Sequence, residues 1–377
     1  MFEKKGLGIN CKKSKILTTS NEILTGIKLY NSEKNEFNNI EIQKKYKYLG
    51  VTIGFGYGLN LFRDHAKIIE SRLRSFSGLI YNMASESFSP TEVGVALWKQ
   101  VALESVLYGI QVINIPKSLY KKLDSTQAGF AARILGVSSK VSHVALIREL
   151  GLRSISSIIH ERKLKYFARL LTLKDSSWAK KALLECNNSS KEAKGTWNSS
   201  YKAEIVELLD KYRLDNSIKG KSLSIKLTRA VRRVNNQEQG RILSEQRSHS
   251  LKYYPQYPDN LKQEYTNSSE QAKMLAKFRL GDIDLGLRDN PTVLNCPYCT
   301  TGPNDAMHLV FDCNTIKSKC NTKVLEEALV SKLYSSDDPC KLQSFLGGDF
   351  SPVNTLMERA DYLINIMQVH SDAQSTT

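Results

Sequence analysis

The segment Cys296-Pro-Tyr-Cys299, followed by His308 and Cys313, constrains this chain more than any other stretch. Its pattern is C-x2-C-x8-H-x4-C. The short gap between the first two cysteines lets a tight turn aim both sulfurs at one point, and Pro297 stiffens it. The gap between His308 and Cys313 sets them roughly one helical turn apart. Three thiols and an imidazole are the donors that tetrahedral Zn²⁺ prefers, so the pattern predicts a structural zinc site. All four positions are side chains, which leaves none for a catalytic water. The competing reading makes His308 and Cys313 core residues of the apolar run around Met307, Leu309, Val310 and Phe311. Spacing alone leaves open whether Cys320 contributes.

The chain has 377 residues, of which 41% are hydrophobic. That is room for about two or three domains with real cores. It contains no apolar run of about 18 residues, so no membrane helix is expected. Met-Phe-Glu-Lys-Lys at the start lacks the apolar stretch of a signal peptide. Seven cysteines cannot all pair, which argues for reduced thiols. The expectation is an intracellular chain, nuclear or cytoplasmic, not secreted, with no membrane partner. Net charge is +16 and the pI about 9.4. So basic a globular chain usually has a polyanionic partner, most often RNA or DNA, the alternative being a generally basic surface.

Read in order, residues 1–60 carry strands. Ile16-Leu17-Thr18-Thr19 is β-prone beside the cluster Lys12, Lys13 and Lys15, and Tyr46 to Ile53 alternates as one strand. Residues 61–185 are helical. Asp64 to Met83 is amphipathic, with Ile69, Leu73, Phe76, Ile80 and Met83 on one face and Arg63, Lys67 and Arg74 on another. Thr91 to Ile113 is apolar nearly all round and predicts a buried helix, with Ser89 as its N-cap. Pro116 opens a helix through Leu119, Leu123, Phe130, Ile134 and Leu135 that ends at Gly136. Two more helices run from Val141 to Leu150 and from Ser154 to Leu173.

Residues 186–271 read as a basic linker region. It holds a helical hairpin, Tyr201 to Tyr212 and Ser222 to Val234, and then a mobile connection from 235. Lys219, Lys221, Lys226, Arg229, Arg232 and Arg233 give it a steep positive bias, with Tyr253, Tyr254 and Tyr257 close behind. Basic side chains beside aromatics suit phosphate contact and base stacking. A basic surface with the tyrosines packed beneath is the plain alternative. Residues 272–370 hold a short helix (272–278), the zinc module and returning helices; 371–377 reads as a disordered tail. The fold class expected is mainly α, with a small β-hairpin region, a helical bundle, a helical linker and a small zinc module.

Several of these segments, in this order, resemble the C-terminal part of non-LTR (LINE-type) retrotransposon reverse transcriptases. Gly6-Leu-Gly-Ile-Asn10 with Lys12 to Lys15 resembles the back of the palm. Tyr46-Lys-Tyr48-Leu-Gly50 resembles the hairpin that grips a primer end. The helices from Asp64 to Ile113 resemble the thumb. Asp124-x2-Gln127, Arg133-Ile-Leu-Gly136, Arg148-Glu-Leu-Gly151 and the helix through Lys163, Tyr166 and Arg169 resemble the region after it. Phe278-Arg-Leu-Gly281 precedes the cysteines as a short motif precedes that family's terminal CCHC element. The resemblance spans nearly the whole chain. It implies contacts to a template–primer duplex, element RNA or target DNA through Lys12, Lys13, Lys15, Tyr48, Arg63, Lys67, Arg74, Lys219, Lys221, Lys226, Arg229, Arg232 and Arg233. It also implies a polymerase portion, with its Mg²⁺, as a partner on the N-terminal side.

One departure matters. Such polymerases hold two metal ions on aspartates, one pair in an aromatic-x-Asp-Asp turn. That turn would lie before Gly6. The only Asp-Asp pair, Asp337-Asp338, has the wrong surroundings and reads as a loop. Asp282-Ile-Asp284 lacks a third ligand and reads as a turn. The expectation is therefore a nucleic-acid-binding fragment with no catalytic residue of its own. The alternative is a co-opted zinc-stabilised binding or scaffolding protein. A Cys186–His160 nucleophile pair has nothing local to orient it.

Overall fold

The computed structural model describes residues 14–17, 27–31, 36–54, 61–188, 197–214, 223–247, 251, 254, 269–282, 295–296, 298–303, 305–320, 342, 345–346 and 353–375. Lys12, Lys13, Lys219, Lys221, Pro297, Tyr253, Tyr257, Asp284 and the Asp337-Asp338 pair lie outside them.

Five strands come first. β1 (Lys15–Ile16) runs parallel to β3 (Glu36–Ile42), and β3 pairs antiparallel with β2 (Ile27–Asn31). β4 (Lys45–Tyr48) and β5 (Val51–Gly54) form a separate hairpin with Tyr48 opposite Val51. The single strand expected from Tyr46 to Ile53 is thus two. Leu49 and Gly50 both take positive φ, 45° and 86°, and reverse the chain between them.

Among the described residues, the remaining regular elements are mostly helices: α1 (Arg63–Ser85), α2 (Pro90–Leu97), α3 (Leu103–Val106), α4 (Lys117–Leu135), α5 (His143–Glu149), α6 (Ile155–Thr172), α7 (Trp178–Asn188), α8 (Trp197–Lys211), α9 (Leu223–Arg247), α10 (Ser269–Arg279), α11 (Asn314–Lys319) and α12 (Val353–Ser375). The mainly α expectation holds, and several boundaries move. The apolar stretch 91–113 is not one helix. A π-helical turn (Trp98–Ala102) separates α2 from α3, and Gly109, at φ 73°, leads into a 3-10 turn. Pro90 fills the first helical position, and Ser89 makes no side-chain cap bond. Met83 is 54% exposed, against expectation. The buried stripe of α1 runs Phe62, Ala66, Ile69, Leu73, Ile80 and Ala84, so its centre turns away from Met83. α9 continues to Arg247, through the stretch read as a mobile connection, and α12 reaches Ser375, into the stretch read as disordered. Neither extension contains the proline that would stop a helix.

The chain divides into two compact units, each built from separated segments. Unit one comprises Met1–Arg74, Leu103–Leu123 and Ile155–Arg233; unit two comprises Ser75–Ala102, Asp124–Ser154 and Val234–Thr377. The consecutive segments expected from composition are therefore interleaved, because packing partners lie far apart in sequence.

Unit one buries a charge. Lys163 is 0% exposed; its Nζ donates to the Ile113 carbonyl at 2.7 Å and to Glu204 at 2.6 Å. The Tyr120 hydroxyl donates to the other Glu204 oxygen at 2.7 Å. His160 Nδ1 shares a 2.7 Å hydrogen bond with the Tyr212 hydroxyl. His160 is thus a packed residue, as the sequence reading favours.

In unit two, Trp98 stacks on Phe130 at 4.2 Å, and its indole N–H donates to Gln127 at 2.9 Å. Gln127 in turn donates to the Arg153 carbonyl at 2.8 Å. Three of the motifs noted in the sequence prove to be one device. Gly136, Gly151 and Gly281 each take left-handed φ and end α4, α5 and α10. At each, the next residue's N–H reaches back to the carbonyl five positions earlier: Val137 to Ala132, Leu152 to Ile147, Asp282 to Lys277. That is the Schellman closure, for which glycine carries no Cβ penalty. Glu149 and Arg279 hold the same place in two of these closures and pair with each other at 2.8 Å, 1% and 2% exposed. Arg279 Nε also donates to the Leu346 carbonyl at 2.7 Å. Asp282 accepts from the Ser138 N–H at 2.7 Å, so this aspartate serves to hold the chain.

Candidate metal centre

The Cys-His pattern lies on a core made by α10, the segment 306–316, Leu342, Phe345, Leu346 and α12. Leu275, Phe278, Val310, Phe311, Phe345 and Leu363 are among its buried members. Phe311 and Phe345 meet edge to face at 5.5 Å, and the Tyr362 hydroxyl donates to the Val310 carbonyl at 3.0 Å. This core is what presents the site.

The first half of the site is a narrow hairpin. Asn295 bridges to Pro303, the Cys296 N–H donates to the Gly302 carbonyl at 2.7 Å, and the Thr300 N–H to the Cys296 carbonyl at 2.9 Å. Thr300, at φ 56°, makes the reversal. Cys296 and Cys299 therefore face one point. The second half is a π-helical turn, His308–Asp312, begun by Asp305, whose carboxylate accepts from the His308 N–H at 2.8 Å. The Cys313 N–H closes it on the His308 carbonyl at 2.7 Å. In an α-helix, residues five apart point about 140° away from each other. The wider π turn brings His308 and Cys313 back to one side.

The four ligand atoms all lie within 4.8 Å of one another. Cys296 Sγ is 3.8 Å from Cys313 Sγ, and Cys299 Sγ is 3.2 Å from His308 Nε2. Bonds of about 2.3 Å to a tetrahedral zinc require sulfurs roughly 3.8 Å apart, so the donor set fits that ion. Cys296, Cys313 and His308 are buried and Cys299 is half-buried. The Thr301 hydroxyl and the backbone N–H groups of Thr301 and Gly302, with His308, stabilise the Cys299 thiolate and draw its pKa down to about 6. Burial pushes the Cys313 thiol up to about 11. Four side chains fill four corners, so the geometry offers no open coordination position for a substrate. Cys320 packs against the same core but is not one of the four clustered ligands.

Gly302 is the site residue that pattern reading missed. A Cβ there would lie 2.0 Å from His308 Cε1 and 2.4 Å from Nδ1. The imidazole lies across the hairpin backbone, and only glycine leaves it that space. The signal available was a glycine three residues after the second cysteine.

The described members of the proposed nucleic-acid set all belong to unit one. Lys15 pairs with Glu41 and holds that carboxyl below its ordinary range, so its charge is already matched. Tyr48 is 59% exposed at the end of β4. Arg63 and Lys67 line one cleft of about 330 Å³ with Lys122, beside the start of α4. Arg74 pairs with Glu70 at 2.8 Å. Lys226, Arg229, Arg232 and Arg233 are exposed on α9 while Leu227 and Val231 are buried. At 100° per residue those four cations fall within an arc of about 120°. They form no ion pair among the described residues. Among the described residues, no helix is long and apolar enough to cross a membrane.

The sequence matches no family model, no curated protein and no solved structure.

Proposed function

We propose that this chain is a zinc-stabilised nucleic-acid-binding protein, corresponding to the palm end, thumb, linker and CCHC element of a non-LTR reverse transcriptase. The observation that carries the binding reading is the α9 face. Four cations, Lys226, Arg229, Arg232 and Arg233, stand exposed on one side of a helix whose other side is buried. A stripe of positive charge without matching acids among the described residues suits a phosphate backbone, which is read by charge and not by sequence. The cleft of Arg63, Lys67 and Lys122, where Glu70 matches one charge by pairing with Lys122, adds a second surface of net positive charge in the same unit. The net charge of +16 supports the same partner.

In this reading Cys296, Cys299, His308 and Cys313 hold a structural Zn²⁺, which contributes folding free energy and no chemical step. The chain assigns no catalytic residue, and Mg²⁺ belongs only to a polymerase portion joined to it.

Fluorescence anisotropy with labelled RNA and DNA oligonucleotides, repeated across salt concentrations, tests the proposal. The logarithm of affinity is expected to fall with that of salt with a slope of about −3 or steeper. Changing Arg232 and Arg233 together to Gln should weaken binding roughly tenfold and flatten the slope by about 2. A flat salt dependence, or no binding, overturns the reading.

A further inference from the structure

A second cleft of unit one, of about 320 Å³, is lined by residues of the β4–β5 turn, α1 and α3. Its walls include Gly50, His65, Arg72, Glu104, Ser105 and Tyr108. His65 is 4% exposed. Its Nδ1 accepts a hydrogen bond from the Thr52 N–H at 3.2 Å. A ring nitrogen that accepts carries no proton, so a neutral imidazole must carry it on Nε2. That Nε2 is buried and, among the described residues, has no hydrogen-bond partner. A buried donor without a protein acceptor calls for a water, an ion or a ligand to satisfy it.

The surroundings define what that acceptor would be. Arg72 stands two helical turns after His65 on the same face of α1, exposed and lining the same cleft. Burial, then Arg72 and Lys47, hold the ring in its neutral form, a donor and not a competing cation. Gly50 presents backbone alone at the turn, and Ser105 adds a hydroxyl. The Glu104 carboxylate is engaged by Arg162, so its charge is already matched. A neutral donor beside a guanidinium suits an oxyanion. The volume lies at the low end of small-ligand clefts, roughly 300–1,000 Å³.

We propose that this cleft is an oxyanion subsite that takes one phosphate group, with His65 Nε2–H and Arg72 as its recognition elements. The phosphate comes either from a nucleic-acid strand, in which case the subsite rests on the binding reading above, or from a free phosphate.

The test uses the full zinc-loaded chain with ¹⁵N-labelled histidine. Inorganic phosphate and a single-stranded oligonucleotide are titrated separately, and the His65 ring nitrogens are followed by NMR. Both probes are expected to shift the Nε2 resonance. His65→Phe and Arg72→Gln should each weaken the oligonucleotide about tenfold. Arg72 is exposed, so its variant keeps the test open if His65→Phe fails to fold. A shift with inorganic phosphate but no oligonucleotide binding upholds the subsite as a free-phosphate site and ends the nucleic-acid reading. Oligonucleotide binding that leaves His65 unmoved, with Arg72→Gln at wild-type affinity, overturns the subsite and spares that reading. No shift with either probe overturns the subsite outright.

Discussion

The two units bury charge in different ways. Unit one holds Lys163 against Glu204 and the Ile113 carbonyl, with the Tyr120 hydroxyl donating to Glu204, all supplied by the chain. Unit two holds an Arg279–Glu149 pair but also gathers three sulfurs and an imidazole that could hold a metal ion. The first unit also carries every described residue proposed to meet nucleic acid. The proposed binding surface and the candidate metal site therefore fall in different units, and experiments can act on one without the other.

Metal removal should give the largest effect. A structural zinc contributes on the order of 10 kcal/mol to a small module. Chelation, or Cys296→Ser with Cys313→Ser, should abolish hydrogen-exchange protection around 295–320 and in α12, while α6 and α8 keep theirs. Equal loss of protection in both units would break the contrast. Next comes Gly302→Ala, whose methyl would displace the His308 ring. Zinc affinity in a chelator competition should drop about 100-fold or more. An unchanged affinity would show that the hairpin and the imidazole can separate freely.

The third effect lies in unit one and sharpens the comparison through pH. Burial, with Lys211 and Lys163, depresses His160 to about 3. An unfolded histidine titrates near 6.5. Between those values the unfolded chain binds the extra proton, so stability is present above about pH 6.5 and is lost as pH falls toward 3. The loss should approach roughly 3–5 kcal/mol, read as the pH dependence of chemical denaturation, and His160→Gln should flatten that slope. Fourth, Arg279→Met leaves Glu149 buried without its partner. That should cost about 3–5 kcal/mol in unit two, at the lower end if water reaches Glu149. The double change with Glu149→Leu should recover much of it, and a double mutant no better than the single one would deny the pairing its energetic role.

The ligand set was legible because its spacing is local: a turn fixes Cys296 and Cys299, and one helical turn fixes His308 and Cys313. The shape of that second turn was not, since nothing in its sequence separates π from α. Helix ends at Gly136, Gly151 and Gly281 were readable for the same local reason. The partnership of Glu149 with Arg279 was hidden, because the two are 130 residues apart and no pattern in one names the other. The stretch 91–113 misled because its uniform apolarity carries no mark of where the turn type changes. Gly302 was overlooked because its importance lies in an empty volume, which a pattern of side chains does not display.

The interleaving of the units has a consequence for synthesis. Unit one has all its segments once Arg233 leaves the ribosome, whereas unit two begins at Ser75 and lacks α12 until Ser375 has been added. At about 5–20 residues per second, the first residues of unit two wait tens of seconds for their last partners. During that interval its apolar helix faces are the natural clients of chaperones, and the zinc ligands emerge into whatever thiol and metal pool surrounds the ribosome. A truncated message that ends before Cys296 would deliver a complete unit one and an orphaned half of unit two.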